Sequence, residues 1–148
     1  MLENFQRRNR DFMRAVRHIA VKPSSRGKSI SEIVAIAASS PAPGYYVSVN
    51  YMIDRLGRER LRHKPRKESS YRRKMWEEID RKVRQMRARG MTRTEAVCRL
   101  LTECQASSFF MSPSTARSLY FNILKNDRYI NRQRRHARAC NVGPERGA

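Results

Sequence analysis

The residues best suited to chemistry open one segment, Ser112-Pro113-Ser114-Thr115-Ala116-Arg117-Ser118, with Asn122 and Lys125 further along. An arginine can bond guanine through two atoms, and serine or threonine hydroxyls can meet either a base edge or a phosphate. If the segment is a helix, its N-terminus also attracts phosphate. Ser114, Thr115, Arg117, Ser118 and Asn122 are therefore the candidate base or groove contacts. A second set is purely basic. Arg58, Arg60, Arg62, Lys64, Arg66, Lys67, Arg72, Arg73 and Lys74 crowd one stretch, and Arg132, Arg134, Arg135 and Arg138 a later one. With Lys125 these are the candidate phosphate contacts, the grip that makes nucleic-acid affinity depend on salt.

The composition agrees. The chain of 148 residues holds 33 Lys+Arg against 13 Asp+Glu, a formal net charge of +20. Of the 33 cations 26 are arginine, the planar group that suits phosphate better than lysine does. The charge is blocked rather than spread: residues 29–54 contain no Lys or Arg, whereas 55–89 carry 15 basic and 5 acidic side chains. Such a chain seeks polyanions.

Other classes are weakly supported. No apolar run approaches the roughly 18 to 20 residues of a membrane span. The first residues, Met1-Leu2-Glu3-Asn4-Phe5, lack a secretory apolar core. The amphipathic, arginine-bearing first helix could lie on an anionic membrane or act as a transit peptide, but Glu3 and Asp11 favour a folded role. Cys98, Cys104 and Cys140 form no CxxC pair and the three histidines stand apart, so neither a metal site nor a cofactor is expected. The odd thiol count suits a reducing compartment, and the expected location is cytoplasmic, on the nucleoid if the source is bacterial. The acids lie in caps or among arginines, without the arrangement that acid–base, metal or nucleophilic chemistry needs. The expectation is a non-enzyme.

The elements that must position these residues come from an internal repeat. Ser29-Ile30-Ser31-Glu32 and Thr92-Arg93-Thr94-Glu95 are both capping boxes before short apolar segments. Tyr45-Tyr46-Val47-Ser48 then matches Phe109-Phe110-Met111-Ser112, and each serine is placed to cap a further helix, with Pro113 in the favoured first position. Those helices should run from Val49 to about Arg60 and from Pro113 to about Asn126. Upstream, Phe5, Phe12, Val16 and Ile19 mark one helix face over roughly 3–20, and Trp76, Ile79, Val83 and Met86 mark another over roughly 71–89. The expected fold is all-α. It comprises two tandem three-helix, helix-turn-helix-like units at 1–63 and 71–130, a basic linker at 64–70, and a basic tail at 131–148, a helix extension from Arg128 that frays into a disordered arm. Trp76, Cys98 and Cys104 read as core. The aromatic pairs read as plugs over that core in preference to base-stacking platforms.

Three helices, the last two joined by a turn, resemble helix-turn-helix DNA-binding domains in outline, best over residues 71–127. That resemblance implies that the second helix of the pair enters a DNA groove. It departs from the class in loop length, since Ser39–Val47 and Cys104–Met111 are about twice the usual turn. The phrase Pro41-Ala42-Pro43-Gly44-Tyr45-Tyr46-Val47-Ser48 also resembles one in small basic proteins of bacteria and mobile elements, which implies no activity. In the first unit Asn50, Tyr51, Asp54 and Arg55 lie on the final helix. Asp54 opposes a phosphate backbone, so residues 29–56 are expected to be a scaffold, a protein-partner surface or a self-association surface, with the alternative that this unit is a reader whose charge comes from the Arg55–Arg66 extension.

The function expected is non-catalytic DNA binding, as a transcriptional regulator or accessory factor of a bacterium, phage or mobile element. Duplex DNA is favoured and no membrane partner is expected. The alternatives are RNA or ribonucleoprotein binding, or a structural nucleic-acid-associated role without sequence readout.

Overall fold

Two capping boxes set the register of the chain. Ser29 Oγ accepts from the Glu32 amide and the Glu32 carboxylate accepts from the Ser29 amide, both at 3.2 Å. Thr92 and Glu95 repeat the exchange at 3.2 and 3.3 Å. Before each box a glycine takes a left-handed conformation, Gly27 at φ 78° and Gly90 at φ 96°. At Gly90 it closes the preceding helix: the Gly90 amide bonds the Arg87 carbonyl and the Met91 amide that of Met86, which satisfies carbonyls otherwise left without partners.

The computed structural model describes residues 2–59 and 68–141, and among these the all-α expectation holds. The helices are α1 (Leu2–Ala20), α2 (Ile30–Ser39), α3 (Val49–Glu59), α4 (Ser70–Ala88), α5 (Arg93–Glu103) and α6 (Pro113–Asn141), with a single 3-10 turn at Pro23–Ser25. In α1 the buried residues Phe12, Val16 and Ile19 follow the four-then-three spacing, while Phe5 remains exposed. Buried Ile79 and Val83 with half-buried Met86 do the same in α4, and buried Trp76 lies one turn earlier. Ser48 and Ser112 cap α3 and α6 as expected, accepting from the amides of Tyr51 and Thr115 at 3.3 and 3.1 Å.

The helices do not group as 1–63 and 71–130. Nine residues, 40–48 and 104–112, separate α2 from α3 and α5 from α6. Extended, nine residues reach up to about 30 Å, far enough to cross the molecule. They do cross: α6 packs on α2 and α1, whereas α3 packs on α5. Each repeat lends its third helix to the other, as in a swapped dimer, and one continuous core results.

The two loops meet where they cross. Ala42 and Ala106 form an antiparallel bridge, with amide–carbonyl bonds of 3.0 and 2.9 Å. The aromatic pairs then stack across it, Tyr45 on Phe110 with ring centroids 6.4 Å apart and Tyr46 on Phe109 at 6.2 Å. Phe109 also meets the edge of Phe12 at 5.6 Å. The stacking partners are thus one another, which agrees with the plug reading. Tyr46 (φ 54°) and Phe110 (φ 52°) hold left-handed backbone at matching repeat positions, a cost of roughly 1 to 2 kcal/mol each that the stacks and core contacts must offset.

Three sequence expectations change. Cys98 is exposed and Cys104 only half-buried, because Cys98 lies on the solvent side of α5, away from buried Ala96, Val97 and Leu100. Arg55 is not a surface group of α3. It is 4% exposed, ion-paired with Glu68, and its guanidinium lies 4.1 Å from the Trp76 ring centre. The chain from 131 to 141 is helical, part of α6. Residues 60–67, which include most of the expected linker, and 142–148 lie outside the described residues.

The exchange has a direct test. Residues 1–63 and 64–148, produced separately, should not give folded monomers. Sedimentation and circular dichroism should show weakly helical or self-associated halves that form a 1:1 helical complex on mixing. Two folded monomeric halves would contradict the crossed packing. A second expectation concerns pH. Burial, then hydrogen bonding to Asp11, raises the Tyr46 pKa above its ordinary value; burial, then Glu78, does so for Tyr45. Raised folded-state values favour the neutral phenol, so this contribution is complete below the unfolded value of about 10 and is lost as pH rises above it. Tyr46→Phe should lower stability at pH 8 by about 1 kcal/mol and flatten the decline seen in urea titrations above pH ~10.

Candidate nucleic-acid interface

Helix α6 has 29 residues, about 43 Å at 1.5 Å per residue. Its start is locked by hydroxyls: Ser112 Oγ donates to Thr115 Oγ1 at 2.8 Å and lies 3.1 Å from Ser114 Oγ. Buried Ala116 lets the helix approach α2, and half-buried Leu119, Tyr120, Ile123 and Leu124 pack against the core. One side of the helix is therefore committed to the fold as far as Leu124, and from Lys125 to Asn141 it is exposed all round.

The other side is the candidate interface. At about 100° per residue, Ser114, Arg117, Ser118, Phe121, Lys125, Arg128, Arg132 and Arg135 fall within an arc of roughly 100° opposite the core. All eight are exposed. From Arg117 to Arg135 the stripe runs about 27 Å. The acid of α6 among the described residues, Asp127, lies on the far side. Arg117 sits 5.8 Å from the centre of the exposed Phe121 ring, so the stripe also carries an aromatic face.

The sequence candidates divide accordingly. Ser114, Arg117 and Ser118 join Lys125, Arg132 and Arg135 on the stripe. Thr115 and Asn122 are exposed but sit toward one edge, with Thr115 tied into the cap. Arg134 and Arg138 are exposed on the opposite side, in line with Ala116 and Tyr120. Sequence reading passed over Arg128 and Phe121 as contacts; the signal available was the spacing Arg117, Phe121, Lys125, Arg128, Arg132, Arg135, visible once the helix is taken past Asn126.

Away from α6 several cations are taken by the fold, while Arg7, Arg10, Arg14 and Arg17 of α1 are exposed. Arg58 pairs with Asp54 at 3.0 Å, both half-exposed, and Arg84 with Asp80 at 3.0 Å. Lys82 holds the Tyr45 hydroxyl and the Gln105 carbonyl at 2.7 and 2.8 Å. Arg72, Arg73 and Lys74 are exposed in the first turns of α4, where the helix dipole disfavours cations and favours an incoming anion. Arg60, Arg62, Lys64, Arg66 and Lys67 lie outside the described residues. Among the described residues no group of three or more His, Cys, Asp or Glu is placed to hold a metal ion, and no helix is long and apolar enough to cross a membrane.

No protein-family model, curated protein or solved structure matches this chain.

The one-sidedness of α6 makes a measurable claim. Replacing Arg128, Arg132 and Arg135 together by Gln should flatten the log–log salt dependence of nucleic-acid affinity by about 2 to 3, near 0.9 per phosphate contact. Replacing Arg134 and Arg138 should flatten it by less than 1. Equal effects per residue from the two faces, measured by anisotropy across a salt series, would remove the stripe as the contact surface.

Proposed function

We propose that this protein binds duplex DNA without catalysing a reaction, laying the outer face of α6 in a groove. The observation that carries this reading is the acid-free stripe of Arg117, Lys125, Arg128, Arg132 and Arg135 along α6, a helix anchored to the core through Ala116 to Leu124 and exposed on all sides from Lys125 to Asn141. The major groove of B-form DNA admits an α-helix, whereas the deep, narrow major groove of A-form RNA does not. That difference favours DNA over RNA, the runner-up. Lys125 and the arginines beyond it supply salt-dependent affinity. Arg117, flanked by Ser114 and Ser118 near the helix start, is the group positioned for base readout. Arg72, Arg73 and Lys74 add phosphate contacts beside it.

The accompanying role is regulatory or accessory, in the cytoplasm of a bacterium or on the DNA of a phage or mobile element. Selection from a random duplex pool at physiological salt tests the reading, with structured RNA as competitor. Enrichment of a motif and an excess of duplex over RNA affinity are expected. Arg117→Ala should then relax preference at one position by about 1 to 3 kcal/mol, while Arg132→Gln should weaken all sequences alike. Stronger competition by RNA would replace this reading with the ribonucleoprotein one. Duplex binding without any enriched motif would leave a structural role.

A further inference from the structure

A second feature sits apart from the α6 stripe. Where the two repeats meet, a cavity of about 490 Å³ opens between the starts of α1, α3, α4 and α6 and the crossing loops. Matching repeat residues line it in pairs, Tyr46 with Phe110, Val47 with Met111 and Tyr51 with Thr115, so it lies at the junction of the repeats. Its volume is in the range that takes drug-sized ligands. The wall combines aromatic rings with two arginines, Arg8 and Arg72, and contains no Asp or Glu.

Both arginines lack a carboxylate among the contacts seen. Arg8 bonds the side chain of neighbouring Asn9 at 3.2 Å and lies 4.8 Å from the Phe5 ring centre. Burial holds its pKa below the ordinary arginine value, the signature of a cation removed from water without full compensation. Arg72 reaches the Tyr51 phenol. Burial acts to raise Tyr51, but the Arg55 and Arg72 guanidiniums beside it outweigh that and hold the phenol below its ordinary value. Positive potential therefore dominates one end of the cavity, beside the exposed rings of Phe5 and Tyr51.

We propose that this cavity binds a nucleotide, its base against the Phe5 and Tyr51 rings and its phosphate between Arg8 and Arg72. Ring faces take bases of any sequence, and a guanidinium pair suits a phosphate monoester, which carries more charge than an internal phosphodiester. The ligand is either a free nucleotide or the 5′-phosphorylated end of a strand. Thr115 lies both in the cavity wall and at the start of α6, so a strand end held here would lead onto the stripe. The proposal takes from the preceding reading only the kind of partner, not the α6 contact.

Equilibrium dialysis of the full chain against AMP and adenosine tests it, with 5′-phosphorylated and 5′-hydroxyl single strands as competitors and closed circular duplex as an end-free control. AMP should bind at least tenfold more tightly than adenosine. Arg8→Gln and Arg72→Gln should each weaken AMP about tenfold with helix content unchanged by circular dichroism, and Arg8→Lys should restore part of the loss. If the glutamine variants misfold, Tyr51→Ala should show the same loss. Tenfold better competition by the 5′-phosphorylated strand identifies a strand end; equal competition identifies the free nucleotide. Undetectable AMP binding at millimolar concentration, equal binding of adenosine, or AMP affinity unchanged in the folded variants would overturn the site. Closed circular duplex should bind the wild type and be weakened by Arg128→Gln with Arg132→Gln, which leave AMP untouched. Loss of duplex binding alone would fell the α6 reading and spare the cavity.

Discussion

The arrangement depends on the crossing of two loops at Ala42 and Ala106. Two backbone hydrogen bonds join the loops at that point, and both alanines are buried. From there every larger consequence follows. The crossing sends α3 to α5 and α6 to α2, it brings Tyr45, Tyr46, Phe109 and Phe110 into mutual stacks, and it gathers four helix starts around one cavity. A three- or four-residue turn would have returned each third helix to its own repeat. The strained backbone at Tyr46 and Phe110 belongs to the same constraint, because those residues must reverse direction while keeping their rings in the stack.

Acidic residues in this protein are few, and the fold has taken most of them. Glu32 and Glu95 close capping boxes. Asp11 and Glu78 hold the loop tyrosines. Asp54, Asp80 and Glu103 pair with arginines one turn away, and Glu68 neutralises buried Arg55. Little negative charge is left to quiet the outer face of α6. A solvated charge-laced surface would interleave signs, as α4 does with Glu77, Glu78 and Asp80. The contrast between α4 and α6 is thus a contrast in where the acids went, and it separates the stripe from the general excess of arginine.

Local chemistry was readable in the sequence and long-range pairing was not. Ser29-x-x-Glu32 and Thr92-x-x-Glu95 announce their helices because a capping box closes within three residues. Buried Phe12, Val16 and Ile19 were visible as periodicity. Which partner α3 and α6 would choose depends on loop reach, and the only trace of that was two loops too long for the class they resembled. How far the tail stays helical was hidden for a different reason: Arg, Gln and Ala favour helix, but without an apolar face the segment offers no periodic signal to mark where it would fray. Cys98 and Arg55 were misplaced by small rotations, each sitting one step around its helix from the expected side. At the candidate interface, Arg117 and its serines were legible as chemistry, whereas their alignment with Arg128, Arg132 and Arg135 required the full length of α6.

The repeat is near-symmetric in its scaffold and lopsided on its surface. Position for position, α3 carries Ile53, Asp54, Gly57 and Arg58 where α6 carries Arg117, Ser118, Phe121 and Asn122. On α3 the exposed cation is cancelled by Asp54, and the next arginine, Arg55, is turned inward onto Trp76 to brace α3 against α4. One third helix has become an internal support and the other an exposed, charged arm. Two equivalent reading helices would call for paired half-sites on the partner. On the DNA-binding reading proposed above, a single arm about 27 Å long instead calls for one continuous contact of less than a helical turn, with no palindrome demanded of the partner. The asymmetry lies in the outer side chains of α3 and α6 and in the greater length of α6, so the exposed face of α6 can change without disturbing the crossed core that carries it.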